Sequence, residues 1–311
     1  MPGTYFGPWG EQYNDYASQN NANNGRYPMG HGLVLPDGRV YRFALNDATA
    51  EVAGRLYQSV VGLADHTDAT ANVARAAGVA IISATLGATA AAIDIYAEGI
   101  AHINDAGTDT TTEGYVYRII RAHTAGAAHA AAAASAVLTV NLAAGEDVQV
   151  ALTTLSQMSF TRNRFHAVLI TAAPPTARLA GVAPGVAAAS RFYWSQVGGE
   201  AAILADGTML EGLPVQASVG TAGAVESHKR RIRTSSTAVS DLTSFTTIED
   251  QGGTAVVVEV GGVAIDTTYD ITGPISINAP LVGTCIKANA TTEEALIDVL
   301  YLQSGHGSWG M

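Results

Sequence analysis

The sequence has few charged residues, a single cysteine and no long apolar run. Charged residues make up 14% of the chain, whereas about 25% is usual in soluble proteins. Thr, Ser, Asn and Gly carry the polar content instead, a composition that suits β-structure with many turns. A surface poor in charge is often covered by neighbouring molecules, although genome composition can produce the same bias.

Further absences concern partners and compartment. The net charge of −11 disfavours a nucleic-acid partner, because affinity for phosphates comes largely from Lys and Arg. The lone Cys285 has no intramolecular disulfide partner, and its strand-like setting, LVGTCIKA, predicts a small buried hydrophobe. No apolar run is long enough for a membrane span, and residues 1–16 lack the features of a signal peptide. We therefore expect a protein that is made and used without secretion.

Catalytic and metal-binding patterns are missing as well. No G-x-S-x-G nucleophile elbow occurs, since His306 stands two places before Ser308, where that motif needs Gly. The eight histidines show no H-x-x-x-H or H-x-H spacing that would indicate a metal site. The acidic residues cannot be paired into a catalytic dyad from the sequence alone. We expect no enzyme activity, no catalytic residues, no cofactor and no metal.

Residues 1–32 are predicted to form an extended N-terminal arm. They are rich in Gly, Pro, Asn and Gln and show neither helical nor strand periodicity. A disordered tail is usually poor in aromatic residues, so we favour an extended arm that becomes ordered when it binds another surface. The alternative is a disordered terminus. The aromatic residues of the arm are Tyr5, Phe6, Trp9, Tyr13, Tyr16 and Tyr27. A C-terminal tail, residues 304–311, has the same character and carries Trp309.

From Leu33 onwards the sequence predicts short strands separated by turns. The turn Pro36-Asp37-Gly38 between two apolar runs indicates a β-hairpin. Asn46 or Asp47 is a candidate N-cap for a short helix that reaches Tyr57. Runs rich in β-branched and aromatic residues predict strands at 79–86, 93–103, 115–123, 137–142, 148–155 and 166–171. The Ala-rich stretch 125–136 fits a helix or a loop, and both stay open.

The pair Pro174-Pro175 marks the predicted domain boundary. It separates a first β-domain, residues 33–175, from a second β-barrel domain, residues 176–303. An insertion, residues 226–272, interrupts the second domain, and Gly261-Gly262 predicts a hairpin within it. The fold prediction is all-β, with two small β-barrel or sandwich domains and the extended arm.

The second domain has the clearest pattern. Residues 181–225 are short strands with turn residues at Gly198-Gly199 and Asp206-Gly207, and residues 280–303 repeat the pattern. The order G-V-A, Y-W-S-Q-V-G-G-E-A, D-G-T, L-V-G-T-C-I-K-A and D-V-L-Y-L resembles the small β-barrel capsid decoration, or cement, proteins of tailed bacteriophages. TLGATAAAIDIYAEGIAHINDAG and TTEGYVYRIIRAH resemble a companion β-domain of larger phage virion proteins. The resemblance rests on glycine and turn positions, and neither the arm nor the insertion has a counterpart.

The resemblance implies a virion structural protein, made in the host cytoplasm, that binds the outer surface of the phage capsid and stabilises the shell. Its partners would be the major capsid protein and two further copies of itself in a homotrimer, with no direct nucleic acid and no membrane. The alternative is a receptor- or glycan-binding fibre or adhesin module on the virion. Tyr193, Tyr96 or Tyr115 would then stack on sugar faces.

Two further groups are candidate capsid or subunit contacts. In Phe192-Tyr193-Trp194, strand alternation puts Tyr193 on the face opposite the other two. Tyr193 is then either an ordinary surface tyrosine or an interface residue. The basic run that follows His228 is either a solvated loop or a contact to an acidic capsid surface. It consists of Lys229, Arg230, Arg231 and Arg233.

Overall fold

The computed structural model describes residues 27–105, 114–120, 129–228, 248–249, 255–256, 279–288 and 293–300. These ranges contain strands, one short 3₁₀ helix at Ala64–His66 and no α-helix, so the all-β prediction is confirmed. The first nine strands are β1 (Gly32–Val34), β2 (Val40–Leu45), β3 (Leu56–Gln58), β4 (Ala69–Thr70), β5 (Ile81–Thr85), β6 (Ile100–Asp105), β7 (Val116–Arg118), β8 (Val137–Asn141) and β9 (Gln157–Thr161). The others are β10 (Leu169–Ile170), β11 (Leu179–Val182), β12 (Phe192–Leu204), β13 (Pro214–Ala217), β14 (Val225–Ser227), β15 (Ile248–Glu249), β16 (Ala255–Val256), β17 (Leu281–Lys287) and β18 (Glu294–Val299).

A ten-stranded antiparallel sheet dominates the fold. Its strand order is β10-β3-β11-β12-β18-β17-β13-β14, and β2, with β1 beside it, also pairs with β12. The 13-residue β12 is long enough to serve two groups of neighbours. Its first half pairs with β2 and β11, and its second half pairs with β18. The two halves meet at Gly198-Gly199, where the sequence predicted a turn. The strand instead runs on through an irregularity in register.

One end of this sheet curls into a barrel. A bridge between Ala205 and Val225 joins the end of β12 to β14, and Asp206 N–H donates to the Val225 carbonyl at 2.7 Å. Because β12, β18, β17, β13 and β14 are already neighbours in that order, these contacts close the circle. Its interior is an aliphatic core that includes Cys285, which is 1% exposed as predicted. Closure covers the edge of β14, and a free strand edge would otherwise invite aggregation.

Residues 64–161 form a second unit, with its own core between two smaller sheets. One sheet has the order β4-β9-β6-β7 and the other pairs β5 with β8. The core includes Tyr96, Tyr117 and Met158, each at most 2% exposed. In the sequence this unit follows β3 and precedes β10, and these two strands pair with each other. Strand pairing therefore crosses the boundary predicted at Pro174-Pro175, because β1, β2 and β3 join the sheet of the later strands.

Several local predictions can be compared with the structure. The hairpin at Pro36–Gly38 is confirmed by the pairing of Val34 with Val40. The prediction of a short helix from Asn46 to Tyr57 is wrong, because these residues form a loop that leads into β3. The Asn46 amide instead donates to the Ala188 carbonyl at 2.7 Å and accepts from Arg191 N–H at 2.5 Å, so it fastens a loop to a distant segment.

Two predicted strands differ from the structure, and the Ala-rich stretch can be compared with its two alternatives. Residues 93–98 are turns, so the strand predicted at 93–103 begins only at Ile100. Residues 148–155 contain no strand beyond a single bridge at Leu152. In the described part of the Ala-rich stretch, residues 129–136, the chain is a loop with one bridge, Ala91 to Ala132. The described ranges include no helix of the length and apolar character that crossing a membrane requires.

Candidate interaction surface at the root of the N-terminal arm

Five aromatic rings meet where the N-terminal arm joins the sheet, and we call them the arm-root cluster. Tyr27 stacks on His31 with 5.0 Å between ring centroids, and it lies 5.5 Å from both Phe43 and Trp194. Phe192 stacks on Phe43 at 5.3 Å. Aromatic pairs at such separations stabilise a cluster beyond their buried area. The root of the arm is therefore packed against its own chain.

Strand register builds this cluster. Trp194 on β12 pairs directly with Phe43 on β2, and their rings meet edge to face at 5.1 Å. Both side chains are fully buried. Burial and the nearby Arg42 charge lower the pKa of His31, so its ring is neutral near pH 7 and stacks without a charge to solvate.

Hydrogen bonds fix the backbone of the arm root on both units of the fold. Gly30 N–H donates to the Phe43 carbonyl at 2.7 Å, and Phe43 N–H donates to the His31 carbonyl at 3.0 Å. Met29 N–H donates to Glu98 Oε2 at 2.6 Å, which ties the arm to the 64–161 unit. The backbone of residues 29–31 is therefore held in one position relative to the sheet and to the 64–161 unit.

Of the predicted contact residues, the structure describes two. Tyr27 is half-buried in the arm-root cluster, so part of its ring is already used within the chain. Tyr193 is 3% exposed and belongs to a separate core cluster, so the prediction of a surface position for it is wrong. The remaining predicted contacts lie outside the described residues: Tyr5, Phe6, Trp9, Tyr13, Tyr16, Lys229, Arg230, Arg231, Arg233 and Trp309.

Tyr193 lies beside a buried carboxyl group that the sequence gave no reason to expect. Glu51 is 1% exposed, and its carboxyl group interacts with the hydroxyls of Tyr57 and Tyr193. Burial, with a smaller contribution from the Asp47 charge, raises the pKa of Glu51 to about 8. Burial also raises the pKa of Tyr193 well above its ordinary value. The face of β12 that carries Tyr193 belongs to a second core, which includes Tyr57, Phe165 and Val168.

Two other tyrosines were candidates for stacking on sugars. Tyr96 is 1% exposed, and its hydroxyl is hydrogen-bonded to Nδ1 of the buried His66. Its backbone N–H donates to His129 Nε2 at 3.1 Å. Tyr115 is half-buried and stacks on Tyr117 at 6.3 Å. Tyr96, like Tyr193, therefore presents no ring face to solvent.

Within the described ranges, no three His, Cys, Asp or Glu side chains are grouped so that they could hold a metal ion. His228, which precedes the basic run, is described, and its Nδ1 lies 2.8 Å from Gln216 Oε1. Comparison with family models, curated proteins and solved structures found no match.

Proposed function

We propose that this chain is a capsid decoration protein, which binds the outer surface of a phage shell and stabilises it, as a homotrimer. The observation that carries the proposal is the barrel. Residues 181–225 and 280–303, which resemble cement proteins, are separated in sequence, yet their strands close one barrel through the contact between Ala205 and Val225. A spurious resemblance between turn-rich segments gives no reason for the two stretches to share one core.

The arm-root cluster gives the N-terminal arm a role in this function. Its root, residues 27–31, is fixed to both units of the fold, so the arm is attached to the body at a defined point. A tethered arm raises the effective concentration of its contacts on a neighbouring subunit. Aromatic side chains suit such contacts, since they bury large areas at protein interfaces without charge. We assign the shell contact to the aromatic residues that precede Tyr27.

The direct test is co-sedimentation of the purified protein with capsids that lack it. The truncated variant should start at residue 27, because Tyr27 and the residues after it pack in the core of the sheet. We expect the truncation to weaken capsid binding while its circular dichroism and thermal unfolding stay unchanged. Failure of the full chain to bind capsids would reject the decoration function, whereas undiminished binding by the truncated chain would reject only the role of the arm.

A matched variant separates aromatic anchoring from arm length. Replacement of Tyr5, Phe6, Trp9, Tyr13 and Tyr16 by Ser keeps every residue of the arm, and we expect it to bind capsids as weakly as the truncated chain. Copy number in purified virions provides an independent check. A count near that of the major capsid protein fits decoration, and a few tens of copies or fewer would fit a fibre or adhesin instead.

A further inference from the structure

A cleft of about 490 Å³ lies where the chain passes between the ten-stranded sheet and the 64–161 unit. Residues 59–62, on the way out of β3, form one wall, and residues 161–165, on the way back, form another. Residues 176–178, just before β11, line it as well, together with Gly30, Glu98 and Ile100. Clefts of this size between structural units are where proteins usually bind small ligands.

The charge of this cleft is opposite to that of the chain. Arg162, Arg164 and Arg178 line it, and among the described residues of the lining Glu98 is the one acidic side chain. The whole chain, by contrast, has a net charge of −11. Glu98 Oε2 accepts the Met29 N–H, and the three guanidinium charges outnumber this carboxylate. The cleft is therefore a local concentration of positive charge on an acidic protein.

The guanidinium groups of Arg162 and Arg178 can still form hydrogen bonds to a ligand. Arg162 Nε is buried and has no hydrogen-bond partner among the described residues, and burial lowers the pKa of this guanidinium. The exposed Arg178 side chain makes no hydrogen bond or salt bridge to another described residue. Leaving a buried donor unpaired is unfavourable, so an incoming acceptor would satisfy a group that folding left without a partner.

Neighbouring groups hold the cleft in shape and add a neutral donor. Arg164 Nε donates to the Leu179 carbonyl at 2.7 Å, which holds this side chain against β11. Thr176 Oγ1 accepts from Gln58 Nε2 at 2.8 Å, so its own hydroxyl proton can be donated to a ligand. His166 adds no charge near pH 7, because burial, with help from Arg162, lowers its pKa to about 4.

We propose that this cleft binds an oxyanion, the carboxylate or phosphate group of a compact polar ligand, through Arg162 and Arg178. Guanidinium groups pair with both kinds of oxyanion, often through two parallel hydrogen bonds. The cleft volume exceeds the space that a free phosphate fills, so there is room for the molecule that carries the group. The proposal does not depend on the decoration function, since it uses none of residues 1–26, which carry the proposed shell contact.

The test is isothermal titration calorimetry at constant ionic strength, with inorganic phosphate, glucose 6-phosphate and glucuronate as probes and glucose as the neutral control. Constant ionic strength matters because salt screens such interactions. We expect saturable binding of at least one anionic probe and none of glucose. Arg162→Gln and Arg178→Gln should each weaken that binding about tenfold or more, the usual effect of losing a charge-assisted hydrogen bond.

Arg118→Gln is the matched control, because it removes one positive charge from the same chain at an exposed salt bridge with Glu146, outside the cleft. Its affinity should equal that of the unmodified protein. Absence of saturable binding by every anionic probe, or an equal loss in Arg118→Gln, would overturn the proposal. If Arg162→Gln does not fold, the exposed Arg178→Gln still decides, since its circular dichroism should stay native. A comparison of phosphate with carboxylate probes identifies the preferred group.

Discussion

Tyr193 and Trp194 are neighbours in the chain, yet their side chains enter two different hydrophobic clusters. Trp194 packs with Phe43 in the arm-root cluster, whereas Tyr193 packs with Tyr57 and Val168 on the other face of β12. Strand alternation alone sends consecutive side chains to opposite faces. Here both faces are covered, so β12 is the central strand of two cores at once. Substitutions along it are therefore expected to be unusually costly.

Trp194→Ala should lower the free energy of unfolding by about 3–5 kcal/mol, the usual cost of truncating a large buried aromatic side chain. The residue is 1% exposed and contacts three other rings. Urea denaturation followed by circular dichroism measures the change. Phe192→Ala, at a half-buried position in the same cluster, is the control and should cost clearly less. Equal costs for the two variants would contradict the packing described here.

Glu51 makes stability depend on pH in a specific direction. Its pKa is about 8 in the folded protein against 4.5 in the unfolded chain, so the folded state holds the proton more tightly between these values. Stability contributed by the protonated carboxyl is complete below about pH 4.5 and is lost as pH rises towards 8, at no more than about 1.4 kcal/mol per pH unit.

Glu51→Gln removes this titration and keeps the shape of the side chain. We expect the difference in unfolding free energy between Glu51→Gln and the unmodified protein to grow in favour of the variant from pH 5 to pH 8. Chemical denaturation at several pH values provides the measurement. The phenols of Tyr57 and Tyr193 stay neutral throughout, because burial raises the pKa of both. A difference that does not change with pH would show that Glu51 is not buried as described.

Tyr96→Phe should destabilise the 64–161 unit by about 1–3 kcal/mol, because a buried acceptor then loses its partner. His66 Nε2 lies 2.8 Å from the Thr89 carbonyl and donates to it, so Nδ1 must accept the hydrogen bond from the Tyr96 hydroxyl. Tyr115→Phe, at a half-buried ring in the same unit, is the control and should change stability little. The measurement is a comparison of the thermal unfolding midpoints of Tyr96→Phe and Tyr115→Phe. Equal stability of the two would exclude the His66 hydrogen bond as a source of stability.

Gly199→Ala should cost more than Gly38→Ala, although both glycines have a positive φ. Gly199 has φ +76°, and an added Cβ would lie 2.9 Å from Arg39 Cα, whereas no atom of the described residues lies within 4 Å of a Cβ at Gly38. Gly38→Ala therefore carries only the conformational penalty, about 1–2 kcal/mol. Gly199→Ala adds a clash with backbone that cannot move aside. The midpoints of urea denaturation of the two variants provide the measurement, and the reverse order would contradict the close approach of Arg39 to Gly199.

Local turn chemistry made part of this fold predictable. The hairpin at Pro36–Gly38 and the barrel strands around Asp206-Gly207 follow from residues that favour tight turns, and such signals act over a few positions. Pairing over long distances left no comparable signal. Nothing near β3 indicates that it pairs with both β10 and β11, and the Asn46 amide looked like a helix cap because its partner, Ala188, is far away in sequence.

The candidate sites were predictable to a smaller extent, for a related reason. Alternation correctly placed Tyr193 opposite Trp194, but the identity of the element that covers each face is a property of the whole fold. The arginines of the cleft are scattered through segments that look like ordinary linkers, and only the two crossings of the chain bring Arg162 and Arg178 to one place. The positions of these arginines in the sequence therefore do not predict that they line one cleft.

The pairing of β3 with β10 makes the whole 64–161 unit the loop of a β-hairpin. Gln58 pairs with Leu169, so the two points where the unit leaves and rejoins the sheet are one strand spacing apart, about 5 Å. A segment attached in this way can be exchanged for a short turn, or for an unrelated domain whose ends are close together, without changing the register of the sheet. The scaffold therefore has a natural grafting point, at which new surface can be acquired or displayed in a single step.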